Sequence, residues 1–262
     1  EELNEYNPSF VSITYGAGGT TRDLTHDLVV RIKEQSGIPP VPHLTCIGHS
    51  KQEIEKILIR YAEVGVGNIL ALRGDPPRDQ PNYDRSKDDF KYASDLVEFI
   101  REFNESGRHP DPRGFGIGVA GFPEGHPATP NRMLEMDHMK AKCDAGADYI
   151  CTQLFFDNHD FYDYRDRCDQ SGINIPIIAG VMPVNSVSGI RRMSELAEGA
   201  RFPAKLIKAL NRAEGDKKAI ERVGIQYASQ QCVELLDNDV DGIHFYTLNK
   251  GHATREIYAN LG

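Results

Sequence analysis

The chain has 262 residues, of which 39% are hydrophobic and 26% charged, with a formal net charge of −9. That is long enough for a sizeable core and too apolar for disorder, and no apolar run is long enough to span a bilayer. The acidic balance argues against a nucleic-acid partner, whose backbone demands clustered Lys and Arg.

Seven short apolar or β-branched segments read as buried strands: Phe10–Tyr15, Val41–Cys46, Asn68–Arg73, Gly116–Gly121, Asp148–Phe155, Ile175–Met182 and Gly242–Thr247. Most lack polar/apolar alternation, as parallel strands covered on both faces do. Amphipathic helices are predicted over Thr21–Ser36, Ser50–Val64, Tyr92–Asn104, Arg132–Asp144 and Asp160–Ser171. Two or three more fill 186–237, and Thr254–Leu261 closes the chain. Ser50 with Glu53 three residues later is a capping-box pattern, and Gly37, Gly65, Gly146 and Gly172 stand as helix stops.

Strand-helix alternation means a parallel sheet, either a (β/α)8 TIM barrel or an open doubly wound sheet. The barrel is favoured. Gly16-Ala17-Gly18-Gly19 has the wrong spacing for a dinucleotide fingerprint, and polar residues recur at the C-terminal ends of nearly every strand. No domain boundary is evident, so 1–262 reads as a single domain. Residues 76–89 form a polar, Pro-rich excursion over the barrel mouth. Seven strands are one short of a closed barrel, so a first strand-helix unit is expected to be missing from the N-terminus.

No basic n-region with an apolar h-region opens the chain, so no secretory signal is read there. The five cysteines (Cys46, Cys143, Cys151, Cys168 and Cys232) are odd in number, widely spaced and without a C-x-x-C pair. A reducing, cytoplasmic setting is expected, with no disulfide framework and no metal site.

The strand ends mix donors (Thr14, Arg73, Gln153), an acid (Asp75), imidazoles (His43, His126) and aromatics (Tyr15, Phe122, Phe155, Phe156). Flat aromatic faces with sparse polar groups suit a planar heteroaromatic ligand. Each position also has a plainer reading. Arg73-Gly74-Asp75-Pro76 and Glu124-Gly125-His126-Pro127 are possible turns, His43 a hydrogen-bonded core histidine, and Phe155-Phe156 core. Met133, Met136 and Met139 read as packing. On spacing alone, Glu135, His138 and Lys142 form a solvated stripe on the opposite face.

The strings FVSITYGAGG, PHLTC, ALRGDPP, FPEGHP, DAGADYICTQLFFD, PIIAGVMPV and GIHFYTLN, in this order, resemble the methylenetetrahydrofolate reductase family from about Pro8 to Gly262. The resemblance implies a barrel that binds FAD at its C-terminal mouth. Its members are oxidoreductases acting on CH–NH donors in one-carbon metabolism. They take a hydride from NADH or NADPH and reduce 5,10-methylenetetrahydrofolate to 5-methyltetrahydrofolate in ping-pong fashion. The partners implied are small molecules, with no nucleic acid and no membrane, and relatives often self-associate.

Carried over residue by residue, the resemblance implies flavin contacts at Thr14, Tyr15, Ala17, His43, Arg73, Gly74, Asp75, Phe122 and His126. Tyr92 and Ala93 match the adenosine side, and Glu135, His138 and Lys142 the ribityl and diphosphate part. Asp75 is the implied catalytic partner of the pterin ring. Gln153 would meet substrate and nicotinamide in turn, with Phe155 and Phe156 walling the substrate side and Lys250 also on the substrate. Glu135 stands where some members have Asp, His138 where some have Asn, Lys250 where Arg is common, and Gly189 replaces a Gln. The family's opening strand, roughly F-E-F-F-P-P, carries the general acid for folate reduction, and no such string occurs here. Two alternatives follow. One is an FAD-binding NAD(P)H oxidoreductase-like subunit lacking that acid, and the other is a barrel that binds a pterin without flavin.

Overall fold

The computed structural model describes residues 3–14, 22–76, 80, 82–186, 189–190, 193–194 and 200–262. These fall into two compact units, Glu1–Ala120 with Lys140–Tyr149, and Gly121–Met139 with Ile150–Gly262.

In the first unit the order is β1 (Val11–Ile13), α1 (Arg22–Ser36), β2 (Pro40–Thr45), α2 (Lys51–Glu63), β3 (Asn68–Leu72), α3 (Ala93–Glu105) and β4 (Gly116–Gly121), whose last residue belongs to the second unit. Neighbouring strands pair parallel, with Val11 opposite Pro40, His43 opposite Leu70 and Asn68 opposite Gly116. Val41, Leu44, Ile69, Leu70 and Ala71 are buried, as two-sided cover requires. Ser50 Oγ accepts from Glu53 N and the Glu53 carboxylate accepts from Ser50 N, so the capping box forms. It aims α2 so that Ile54, Leu58, Tyr61 and Ala62 are buried together. Tyr92 lies just before α3, not inside it. The Asp95 carboxylate accepts from the Lys91 and Tyr92 backbone N–H groups and so fixes where that helix begins.

The helix α4 (Arg132–Asp144) contributes residues to both units. The second unit continues with β5 (Tyr149–Leu154, whose first residue belongs to the first unit), α5 (Asn158–Gln170), β6 (Ile177–Val181), α6 (Ala204–Arg212), α7 (Lys217–Asp237), β7 (Gly242–Phe245) and α8 (His252–Asn260). Parallel pairing sets Ile150 opposite Ile177, with a register shift between Cys151 and Leu154, and Ile178 opposite Gly242. Helix α7 is tied to the end of β5 by two side chains four residues apart. Tyr227 Oη donates to Phe156 O at 2.6 Å and Gln231 Nε2 to Phe155 O at 3.0 Å. Leu154, Phe156, Met182, Val184, Leu206 and Leu210 pack as one apolar cluster.

The described residues hold seven parallel strands alternating with helices, an α/β fold of the (β/α)8 class one unit short. All seven expected strands are present: β4 has the expected bounds, β2 begins one residue earlier and ends one earlier, and the others are shorter by at most two residues at an end. Helix α5 starts at Asn158 because the Asp157 side chain caps it, accepting from His159 N at 3.0 Å. No helix among the described residues is long and apolar enough to cross a membrane.

Candidate functional site

In the first unit the parallel pairing of β2 and β3 brings their C-terminal ends together. Ile47 N donates to Arg73 O at 2.9 Å and Cys46 N to Leu72 O at 3.1 Å. The buried Cys46 thiol points at Arg73 O and Tyr92 O, 3.6 and 3.8 Å away. Burial pushes that thiol up to about 12, so it stays protonated and acts as a weak donor.

Gly74 turns the chain at φ +82°. A Cβ there would lie 2.8 Å from Ile47 Cγ2 and 2.9 Å from Thr45 Cβ, so only glycine fits. The turn carries Asp75 into solvent while Arg73 stays half-buried. Tyr92 is 51% exposed, Thr14 exposed, and His43 and Ala93 partly buried. Lys142, from α4, donates to Ala120 O at 2.7 Å. Tyr15 and Ala17 lie outside the described residues.

In the second unit Phe122 and His126 meet edge to face, ring centres 4.6 Å apart. The turn between them depends on Gly125, at φ +93°, where a Cβ would collide with the Arg132 guanidinium. Arg132 donates to Glu124 O and reaches Glu135 Oε2 at 3.1 Å.

Helix α4 does not present the faces expected from spacing alone. Glu135 is only 7% exposed, so its stripe is not a solvated face, and Met133 is 79% exposed, so it is not packing. An i, i+3, i+6 series drifts round a helix by about 60° a step, whereas Glu135 and Met139, four apart, share a face. Glu135 therefore goes inward with Met136 and Met139. Its Oε1 is buried and has no hydrogen-bond partner. His138 is half-buried on the same helix.

The Gln153 side chain folds back, its Oε1 accepting from Leu154 N at 3.0 Å. Phe155 and Phe156 are fully buried, stacked on Phe161 and tilted against Phe202 respectively, and are packing residues here. Lys250 is exposed, one residue past Leu248 and Asn249, both at positive φ.

An ionic clasp joins three segments that the sequence does not connect. The Glu124 carboxylate, 7% exposed, accepts from Arg201 N at 2.8 Å, and the Arg201 guanidinium pairs with Asp160 on α5. Burial raises the pKa of Glu124 and of Asp160, and Arg201 opposes the rise in both. Asp157 and Arg132 also act on Asp160, in opposite senses. A carboxyl raised in the folded state binds its proton more tightly there than in the unfolded chain. Its favourable contribution is thus present at low pH and lost as pH rises through the raised pKa. Arg201 limits that loss while the carboxylates are charged. Arg201→Met is therefore expected to destabilise by about 1 kcal/mol at neutral pH, since Arg201 is largely exposed, and by much less near about pH 4. Denaturant melts at the two pH values check this, and an equal deficit at both would contradict it.

Among the described residues no group of three His, Cys, Asp or Glu could hold a metal ion. All five cysteines are free thiols.

Comparison with known proteins places the chain. The family model for methylenetetrahydrofolate reductase matches residues 1–262. Methylenetetrahydrofolate reductase (NADH) 1 of Arabidopsis thaliana is 37% identical over 271 residues, covering 100% of this chain and 44% of that protein. The chain thus spans less than half the length of its plant relatives. The 5,10-methylenetetrahydrofolate reductase of Escherichia coli is 34% identical over 262 residues, covering 100% of this chain and 83% of that one. A solved structure described as an uncharacterized Clostridium thermocellum protein that binds two copies of 5-methyl-5,6,7,8-tetrahydrofolic acid superposes with TM-score 0.56. It covers 99% of this chain and 96% of its own at 12% identity, a likeness of fold alone. With a whole-length family match, close sequence relatives and the fold agreeing, the chain belongs to the methylenetetrahydrofolate reductase family.

Proposed function

We propose that the protein reduces 5,10-methylenetetrahydrofolate to 5-methyltetrahydrofolate with FAD as its bound cofactor and NADH or NADPH as reductant. Bound FAD would supply the redox chemistry, accepting two electrons from one substrate and passing them to the other. The observation that carries the cofactor reading is the Glu135 Oε1. A buried carboxylate oxygen without a partner costs stability unless a donor meets it, and the hydroxyls of a ribityl chain are such donors. Lys142, seven residues on, brings an ammonium suited to a diphosphate. The crossed rings of Phe122 and His126 offer an apolar edge to a flat ring system.

The remaining residues take roles in binding and orientation. Asp75, exposed beyond the Gly74 turn, offers two acceptor oxygens to the adjacent N–H donors of a pterin ring. Gln153 would swing from its own backbone to serve each substrate in turn. Phe155 and Phe156 would brace it from behind, Tyr92 and Ala93 would flank the adenosine, and Lys250 would face the substrate's acidic tail. Thr14, His43, Arg73, Gly74 and His138 complete the proposed cofactor contacts, with Tyr15 and Ala17 proposed from sequence alone.

The test is flavin retention. The purified protein is expected to be yellow and to hold FAD through gel filtration. Lys142→Met should weaken FAD binding about tenfold, read as flavin released on dilution. Retention unchanged in that variant would remove Lys142 from the cofactor site, and a wild-type protein with no affinity for FAD would overturn the proposal.

A further inference from the structure

The polar loop after β3 is held by its own side chains. Lys91 Nζ donates to three carbonyls of one turn: Arg85 O at 3.1 Å, Ser86 O at 2.8 Å and Asp88 O at 2.5 Å. Asp84 caps that turn through Ser86 N at 3.1 Å, and Tyr83 Oη donates to the Asp88 carboxylate. Asp84 and Asp88 are thereby occupied within the loop. What the loop delivers is Arg85, whose Nη2 donates to Gly74 O at 3.3 Å. Its Nε is buried and has no hydrogen-bond partner.

Arg85 thus bonds the very peptide that separates Arg73 from Asp75. Among the described residues neither Arg73 nor Arg85 forms an ion pair. Two guanidiniums in one loop cluster repel, and a buried donor left unpaired costs stability. After burial, the Arg85 charge is the next influence holding Arg73 below its usual range, and the Asp75 carboxylate on the same turn acts against it without cancelling it. Such an arrangement persists where an anion forms nearby and offsets the repulsion.

We propose that Arg85 is a positioning residue that holds the Arg73-Gly74-Asp75 turn and, with Arg73, forms a cationic pair that stabilises the anionic reduced state of the bound flavin. The proposal rests on FAD being the cofactor and on this turn facing its isoalloxazine. A reduced nicotinamide dinucleotide gives up two electrons and one proton and leaves oxidised. The neutral oxidised ring that takes them up becomes a monoanion. The negative charge is on the ring only in the reduced state, so a fixed cation favours reduction and raises the potential. Arg73 is the proposed cofactor contact, and Arg85 would act through the peptide it anchors and through its field.

The test is the midpoint potential of bound flavin in wild type, Arg85→Gln and Arg85→Lys, with dinucleotide KM measured alongside. The glutamine variant can still donate to Gly74 O but carries no charge. It is expected to bind FAD while shifting the equilibrium toward the oxidised ring by up to tenfold, about 30 mV for a two-electron couple. The lysine variant, which keeps the charge, should restore most of the difference. Equal potentials in all three proteins would overturn the proposal. So would a rise in dinucleotide KM at constant potential, which would assign Arg85 to the dinucleotide's phosphates. A wild-type protein that binds no flavin would instead defeat the cofactor reading on which this one rests.

Discussion

Asp75→Asn is expected to slow reduction of methylenetetrahydrofolate about 100-fold while changing flavin reduction by the dinucleotide no more than about threefold. The physical basis is the donor and acceptor pattern. A carboxylate presents two acceptors to the paired N–H groups at the edge of a pterin, whereas an amide presents one acceptor and one donor. The mismatched amide N–H would face another N–H, and a site built to bond a polar group rejects the mispaired version strongly. About 100-fold corresponds to about 2.7 kcal/mol of lost transition-state stabilisation. The side chain is exposed at the tip of its turn, so the substitution leaves the core untouched and the variant should fold normally. Rapid mixing that follows the two half-reactions separately gives the answer. Equal losses in both would contradict a role specific to folate.

Gly74→Ala is the second large expectation, and its effect is on both stability and activity. At φ +82° a side chain costs about 1–2 kcal/mol in backbone strain. The added Cβ would also press on Ile47 Cγ2 and Thr45 Cβ at under 3 Å, contacts that need a shift of β2 to relieve. Overpacking of that kind costs about 1–3 kcal/mol. We expect a total loss of about 2–5 kcal/mol, a melting temperature lower by several degrees, and a displaced Asp75 that lowers folate reduction further. A variant as stable as the wild type would show that the turn is not constrained as described.

Local patterns were legible in the sequence and long-range ones were not. The Ser50–Glu53 capping box is written in four adjacent residues and forms as read. The seven strands are legible because two-sided burial leaves continuous apolar runs such as Ile69–Leu72. The Arg73-Gly74-Asp75-Pro76 turn is legible because it follows such a run. The inward face of α4 is not legible, because its methionines suggest a stripe that drifts round the helix, while Glu135 sits four residues from Met139 and is carried inward with it. A buried carboxylate has no hydropathy signal, and only its position relative to Met139 could have revealed it. The clasp of Arg201 with Glu124 and Asp160 joins residues 77 and 41 positions apart, and no sequence period predicts such a pairing. Arg85 was hidden within a polar loop for the same reason. Its contact with Gly74 depends on a turn that Lys91 ties down through three carbonyls.

The most direct measurement is a single anaerobic half-reaction. Purified protein loaded with FAD is reduced to completion by the dinucleotide, freed of excess reductant, and mixed with 5,10-methylenetetrahydrofolate. The account predicts that oxidised flavin absorbance returns and that 5-methyltetrahydrofolate forms in equal amount. Flavin that stays reduced in the presence of saturating folate, with no methyl product, would contradict it.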